Sequence, residues 1–103
     1  MDRTITKLNK YKIVARGENC LLQVENHLEK LGFHITSYLK AKNPMEAEHL
    51  VVQVLMNELK AYYHLKVSYH DPPRIFVEKI EELESFDGIE LPGSGFTFFR
   101  PNL

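Results

Sequence analysis

The chain has no tryptophan and only one cysteine, Cys20. A single cysteine excludes an intrachain disulfide. Cys20 alternates with Leu22 in a strand-like pattern, so a small buried hydrophobe is expected there. A cysteine nucleophile needs a neighbouring base, and no supporting motif is present. No stretch approaches the roughly 20 apolar residues that a membrane-spanning helix needs. Met1 to Lys10 contains no apolar run, so no secretory leader is expected, and the cytoplasm is the default location. Neither sign of charge dominates, with 13 basic residues against 14 acidic. That balance removes the electrostatic case for nucleic acid or an anionic membrane as partner. Charge is uneven along the chain all the same. Arg3, Lys7, Lys10, Lys12 and Arg16 lie early, and Glu78, Glu81, Glu82, Glu84 and Asp87 lie late.

Several chemistries also lack their motifs. The histidines (His27, His34, His49, His64 and His70) form neither a His-x-His pair nor a helical pair four residues apart. Gly93-Ser94-Gly95 looks like part of a phosphate-cradling loop but lacks the lysine and the following helix. No nucleophile elbow or kinase signature occurs. Tyr62, Tyr63, Tyr69 and the Phe96–Phe99 group are of the kind that stack on bases, but a single-strand binder sets such rings in a basic groove. No metal and no cofactor are expected.

What the sequence does carry is one strong helix signal, from Asn43 to Lys60. Asn43 is a good N-cap, Pro44 suits the first helical position, and Glu46 completes a capping-box-like start. On a wheel of about 100° per residue, Glu46, His49, Gln53, Asn57 and Lys60 form a polar stripe. Ala47, Leu50, Val51, Val54 and Leu55 form the face expected to meet a sheet. Met45, Val52, Met56 and Leu59 extend the apolar surface around the side, beyond the usual width of a surface helix. That flank is either sunk in the domain or a subunit interface. Glu48 and Glu58 fall within the apolar arc, where an unpaired carboxylate must reach water or a donor.

Strand patterns surround the helix. Tyr11–Arg16 and Cys20–Glu25 are separated by Gly17-Glu18-Asn19, which has turn chemistry, and read as a hairpin. Asn26–Leu31 is open between one helical turn and a wide connection. Phe33–Ala41 alternates, with Phe33, Ile35, Ser37 and Leu39 toward the helix and Tyr38 on the opposite face. The stretch after Lys60 is expected to be an irregular, partly packed connection, stopped by Pro72-Pro73. Arg74–Leu83 is a further strand, with Ile75, Val77, Ile80 and Leu83 inward and Phe76 outward. Residues 86–103 hold Gly88, Pro92, Gly93, Gly95 and Pro101 and form a loop-rich aromatic tail. In it Phe96–Phe99 make either an edge strand or an apolar latch.

The chain therefore reads as a single α+β domain over 1–103. An antiparallel sheet of four to five strands, in β-β-β-α-β order with an optional last strand, is covered on one face by one main helix. The other face must be covered by the tail, a second subunit or a partner.

Gly32-Phe33, Asn43-Pro44-x-Glu46-Ala47-Glu48, Asp71-Pro72-Pro73 and Pro92-Gly93-x-Gly95-Phe96-Thr97-Phe98 together resemble segments of a group of small bacterial proteins of uncharacterised function. The order of elements is similar to the HicB-type antitoxin fold, without its Gly-Cys segment or a C-terminal DNA-binding domain. That likeness concerns fold alone.

The leading functional expectation is a non-enzymatic protein–protein interaction module, a homodimer, with Tyr38, Met45, Val52, Met56, Leu59 and Phe98 at the interface. An antitoxin-like or immunity-type inhibitor of a protein partner is the alternative. A small enzyme using Glu48 or Glu58 with a histidine is the second.

Overall fold

The alternation that begins at Tyr11 does not stop at Gly17. In the computed structural model, which describes residues 7–89 and 95–101, it belongs to one long strand, β1 (Asn9–Val24). This strand pairs antiparallel with β2 (His27–Ala41). Gly17 lies opposite Phe33 and Cys20 opposite Leu31, so Glu18 and Asn19 together face the single residue Gly32. The expected turn at Gly17-Glu18-Asn19 is thus a β-bulge, with Asn19 at a left-handed φ of 59°. The extra residue switches the parity of the strand. Tyr11, Ile13 and Ala15 point to the core before the bulge, and Cys20 and Leu22 after it.

Two glycines make this part of the sheet possible. A Cβ on Gly17 would lie 1.8 Å from the Phe33 ring, and one on Gly32 would lie 2.4 Å from the Phe99 ring. Each glycine provides the space in which an aromatic ring lies across the backbone.

Asn26–Leu31 is neither a helical turn nor a wide connection. The chain reverses over Glu25 and Asn26, and His27 already pairs with Val24. The 16 residues of β1, at about 3.3 Å each, span about 50 Å and account for the elongated shape, 56 × 31 × 22 Å.

The helix α1 (Pro44–Tyr63) starts as its cap residues dictate and runs past Lys60. The Asn43 side chain accepts from the Glu46 amide at 2.8 Å, and the Glu46 carboxylate accepts from the Lys42 amide at 3.0 Å. At the far end His64 adopts φ 53°, and the Leu65 amide donates to the Leu59 carbonyl at 3.1 Å. That left-handed stop is a helix C-terminal motif in which glycine is more usual. Leu65 is then buried against the core.

The irregular connection that follows is tied to the sheet at Lys66, whose amide donates to the Leu21 carbonyl at 2.9 Å. Strand β3 (Arg74–Leu83) pairs antiparallel with β1, with Glu78 bulged between the pairs Val77–Ala15 and Lys79–Val14. Ile75, Val77 and Ile80 turn inward as expected. Leu83 does not, because the bulge shifts the parity and sets it opposite Lys10 on the outer face. A short edge strand, β4 (Thr97–Phe99), pairs with Gly32–His34. The sheet order is β3-β1-β2-β4.

The fold is therefore α+β, a four-stranded antiparallel sheet with one helix on one face. The core lies between them, from Tyr11, Ile13, Phe33 and Ile35 of the sheet to Ala47, Val51, Leu55 and Leu59 of α1.

Candidate functional site

The surface that merits functional attention lies where α1 overhangs the β2 side of the sheet. Met45, Val52, Met56 and Tyr63 recur at spacings of seven, four and seven residues, which puts them on one side of the helix. Tyr63 packs edge-on against Phe96 at 5.5 Å and Phe98 at 4.9 Å. That side of α1 therefore looks toward the edge where β4 joins β2. Beta-4 covers only Gly32–His34 of that edge. Among the described residues, Ser37–Ala41 have no strand partner there.

Chemically this region is a strand edge without a strand partner among the described residues, on a sheet whose inner face α1 covers. Met45 is 71% exposed, and Val52 and Met56 are half-buried. Leu39 points toward the helix layer, packs on the core and is half-buried. Among the described residues, His27–Leu31 of β2 and Leu22–Val24 of β1 also lack a strand partner on their outer sides. Beta-3 carries the Glu78 bulge and the charges Arg74, Lys79, Glu81 and Glu82, and β4 is three residues long. Bulges, charges and short length are the usual means by which edges avoid pairing. Ser37–Ala41 contains one charge, Lys40, and neither proline nor bulge.

The six expected interface residues do not form one patch. Met45, Val52 and Met56 stay together on the helix flank. Leu59 is 0% exposed and belongs to the core stripe Ala47, Val51, Leu55 and Leu59, so it is not surface in the single chain. Conversely Val54, expected to meet the sheet, is 45% exposed. The helix is rolled toward Leu59 relative to the expectation from its wheel. Phe98 is committed inside the chain, against Phe33, Tyr63 and Phe96. Tyr38 lies on the opposite face of the sheet, edge-on to Phe86 at 6.1 Å.

That outer face is partly covered by the chain itself. Besides Phe86 over Tyr38, Gly95 lies beside Val14, His34 and Thr36. Pro92, Gly93 and Ser94 of the tail lie outside the described residues, as does Arg3. A band of side chains crosses all four strands. The Arg16 guanidinium sits 4.6 Å above the Phe76 ring, and His34 stacks on Phe99 at 5.0 Å.

Beside this band is a cavity of about 250 Å3 lined by Glu18, Asn19, Lys30, Gly32, Arg74 and Phe99. Its polar groups pair with one another and with their neighbours. Lys30 bonds Asp71 at 2.6 Å, Asn19 donates to Asp71 at 2.6 Å and to the Pro72 carbonyl at 3.2 Å, and Glu18 pairs with Arg16 and Arg74. The lysine hydrogen bond, then the Asn19 hydrogen bond, holds the Asp71 carboxyl below the usual range. This cluster clamps the α1–β3 connection onto the bulge. Sequence reasoning missed it. Asn19 in a Gly-Glu-Asn segment was the one available signal, since asparagine tolerates the left-handed conformation.

Glu48 is exposed and Glu58 half-buried, and neither bonds a histidine among the described residues. Burial pushes the Cys20 thiol up to about 11. Among the described residues no three His, Cys, Asp or Glu side chains converge as metal ligands. No helix there is long and apolar enough to cross a membrane. No protein-family model, curated protein or solved structure matches the chain.

Proposed function

We propose that this protein is a non-enzymatic interaction module that self-associates, with a second copy of the chain as its partner. The observation that carries this reading is the apolar flank of exposed Met45 and half-buried Val52 and Met56, on the helix side that looks toward the β2 edge, where Ser37–Ala41 have no strand partner among the described residues. An apolar helix flank and an open strand edge are each unfavourable in isolation, and one contact relieves both. A second copy is favoured over an unrelated chain because an antiparallel strand edge is self-complementary about a two-fold axis. The reading extends to a cytoplasmic location. A lone free thiol, Cys20, suits a reducing compartment.

The test is the mass in solution of the full chain and of a Val52→Lys, Met56→Glu variant. Leu59 is left untouched, because a charge there would enter the core. The wild-type chain is expected to run as a dimer and the variant as a folded monomer. A monomeric wild type, or a variant with unchanged mass, overturns the reading.

A further inference from the structure

We propose that the outer face of the sheet, turned away from α1, binds single-stranded nucleic acid, with Phe76, Arg16, His34 and Phe99 as its stacking row. This surface is separate from the helix flank and strand edge discussed above, and the proposal holds for a monomer or a dimer. The charge balance of the whole chain argues against such a partner, but the fold sorts the charge by face. Residues directly opposite one another in an antiparallel pair share a face, so the registers assign the outward side chains. Strand β1 sends out Lys10, Lys12 and Arg16, β2 sends out Lys30 and Lys40, and β3 sends out Arg74 and Lys79. The acids on the same strand faces are Glu18, Glu78 and Glu81. The outer face is therefore basic, although the chain as a whole is balanced. Lys10 and Lys40 lie directly opposite one another, and neither has an ion-pair partner among the described residues. Like charges so placed repel, and a polyanion laid across them relieves the repulsion.

The rings beside these cations favour a single strand over a duplex. One row runs from Phe76 on β3 through Arg16 on β1 and His34 on β2 to Thr97 on β4. Phe99 stacks on His34 at 5.0 Å, and the Arg16 guanidinium lies 4.6 Å from the Phe76 ring centre. Phe76, His34 and Phe99 are exposed. A splayed strand offers its base faces to rings and guanidinium planes, whereas a duplex hides them. Arg74 and Lys30 flank the row on one side and Lys79 on the other, where phosphates can reach them. Glu18 contacts both Arg16 and Arg74, and Glu78 contacts Arg16. These acids steady the two guanidinium groups without exhausting them, since each carries five N–H donors.

The test is fluorescence anisotropy of the full chain with fluorescein-labelled oligouridine and oligothymidine of about ten nucleotides. In about 50 mM salt, a dissociation constant of about 10 µM or tighter is expected for at least one of them, weakening as salt rises. The preferred oligomer tells RNA from DNA. Phe76→Leu, which removes one ring, is expected to weaken binding about fivefold or more. Arg74→Gln is expected to weaken binding and to lower the slope of log K against log salt by about 0.7. Lys60→Gln removes the same charge from α1 and is expected to change neither. No binding at about 100 µM protein overturns the proposal. Wild-type affinity in Phe76→Leu overturns it too, as does Arg74→Gln behaving like Lys60→Gln. It is also overturned if a duplex or polyglutamate displaces the oligomer as well as an unlabelled single strand does, since neither offers free base faces. Circular dichroism checks folding. If Phe76→Leu does not fold, the Arg74→Gln comparison and the two competitions decide.

Discussion

Gly17→Ala is the most revealing single-atom change. The added Cβ would lie 1.8, 2.3 and 2.5 Å from three atoms of the Phe33 ring. Phe33 cannot move aside freely. It is 0% exposed and makes edge-on contacts with Phe96 at 5.1 Å and Phe98 at 6.5 Å. Overpacking a filled core costs about 1–3 kcal/mol, and disturbing an aromatic pair adds about 0.5–1.5 kcal/mol. A loss of about 2–4 kcal/mol is therefore expected. At about 4–8 °C per kcal/mol, the melting temperature should fall by at least about 8 °C. Urea unfolding, with fluorescence of the tyrosines as the signal, reads the loss directly. The cause is checked by a double-mutant cycle with Phe33→Leu. Once the ring is gone, the added methyl should cost much less. A Gly17→Ala loss below about 0.5 kcal/mol, the range of an unremarkable surface change, would refute the reasoning, as would equal losses with and without the ring.

Other consequences are more local. Leu59→Ala should cost about 2–5 kcal/mol as a fully buried truncation, and Val54→Ala, nearly half-exposed, well under half of that; paired urea titrations decide, and equal losses would reject the observed roll of the helix. Asp71 should titrate below its ordinary value of about 3.9, followed by carboxyl carbon shifts. Because its folded pKa is depressed, the clamp contributes fully above the ordinary value and weakens as pH falls through the folded one; a midpoint at or above about 3.9 would contradict the Lys30 and Asn19 contacts. Cys20, buried with its thiol pushed up to about 11, should react with a thiol reagent only as fast as the chain opens. Rapid modification at neutral pH would place it at the surface instead.

Some of this was legible in the sequence and some could not be. The helix start was legible because Asn43, Pro44 and Glu46 act locally, each on a backbone group within a few residues. Phe33–Ala41 was legible because its alternation is unbroken. The bulge was not, because Gly17-Glu18-Asn19 has the chemistry of a turn and a change of parity looks the same in either case. What separates the two is the Phe33 ring lying on Gly17 from a distant part of the chain. Leu83 was misplaced for the same reason, through the bulge at Glu78. Leu59 was assigned to the flank because a wheel gives the order of residues around a helix and not its roll against the sheet. That roll is set by Phe33, Ile13 and the other residues beneath it. Tyr38 and Phe98 were expected at one interface, yet the sheet stands between them, with Tyr38 under Phe86 and Phe98 under Tyr63. Among the described residues, how much of the β2 edge is paired depends on the length of β4, and pairing length is a tertiary property.

Self-association is tested most directly by the mass of the full chain in sedimentation equilibrium over a range of concentrations. A species of twice the 12.0 kDa of one chain is expected, dissociating on dilution. A mass of 12.0 kDa at every concentration would contradict it.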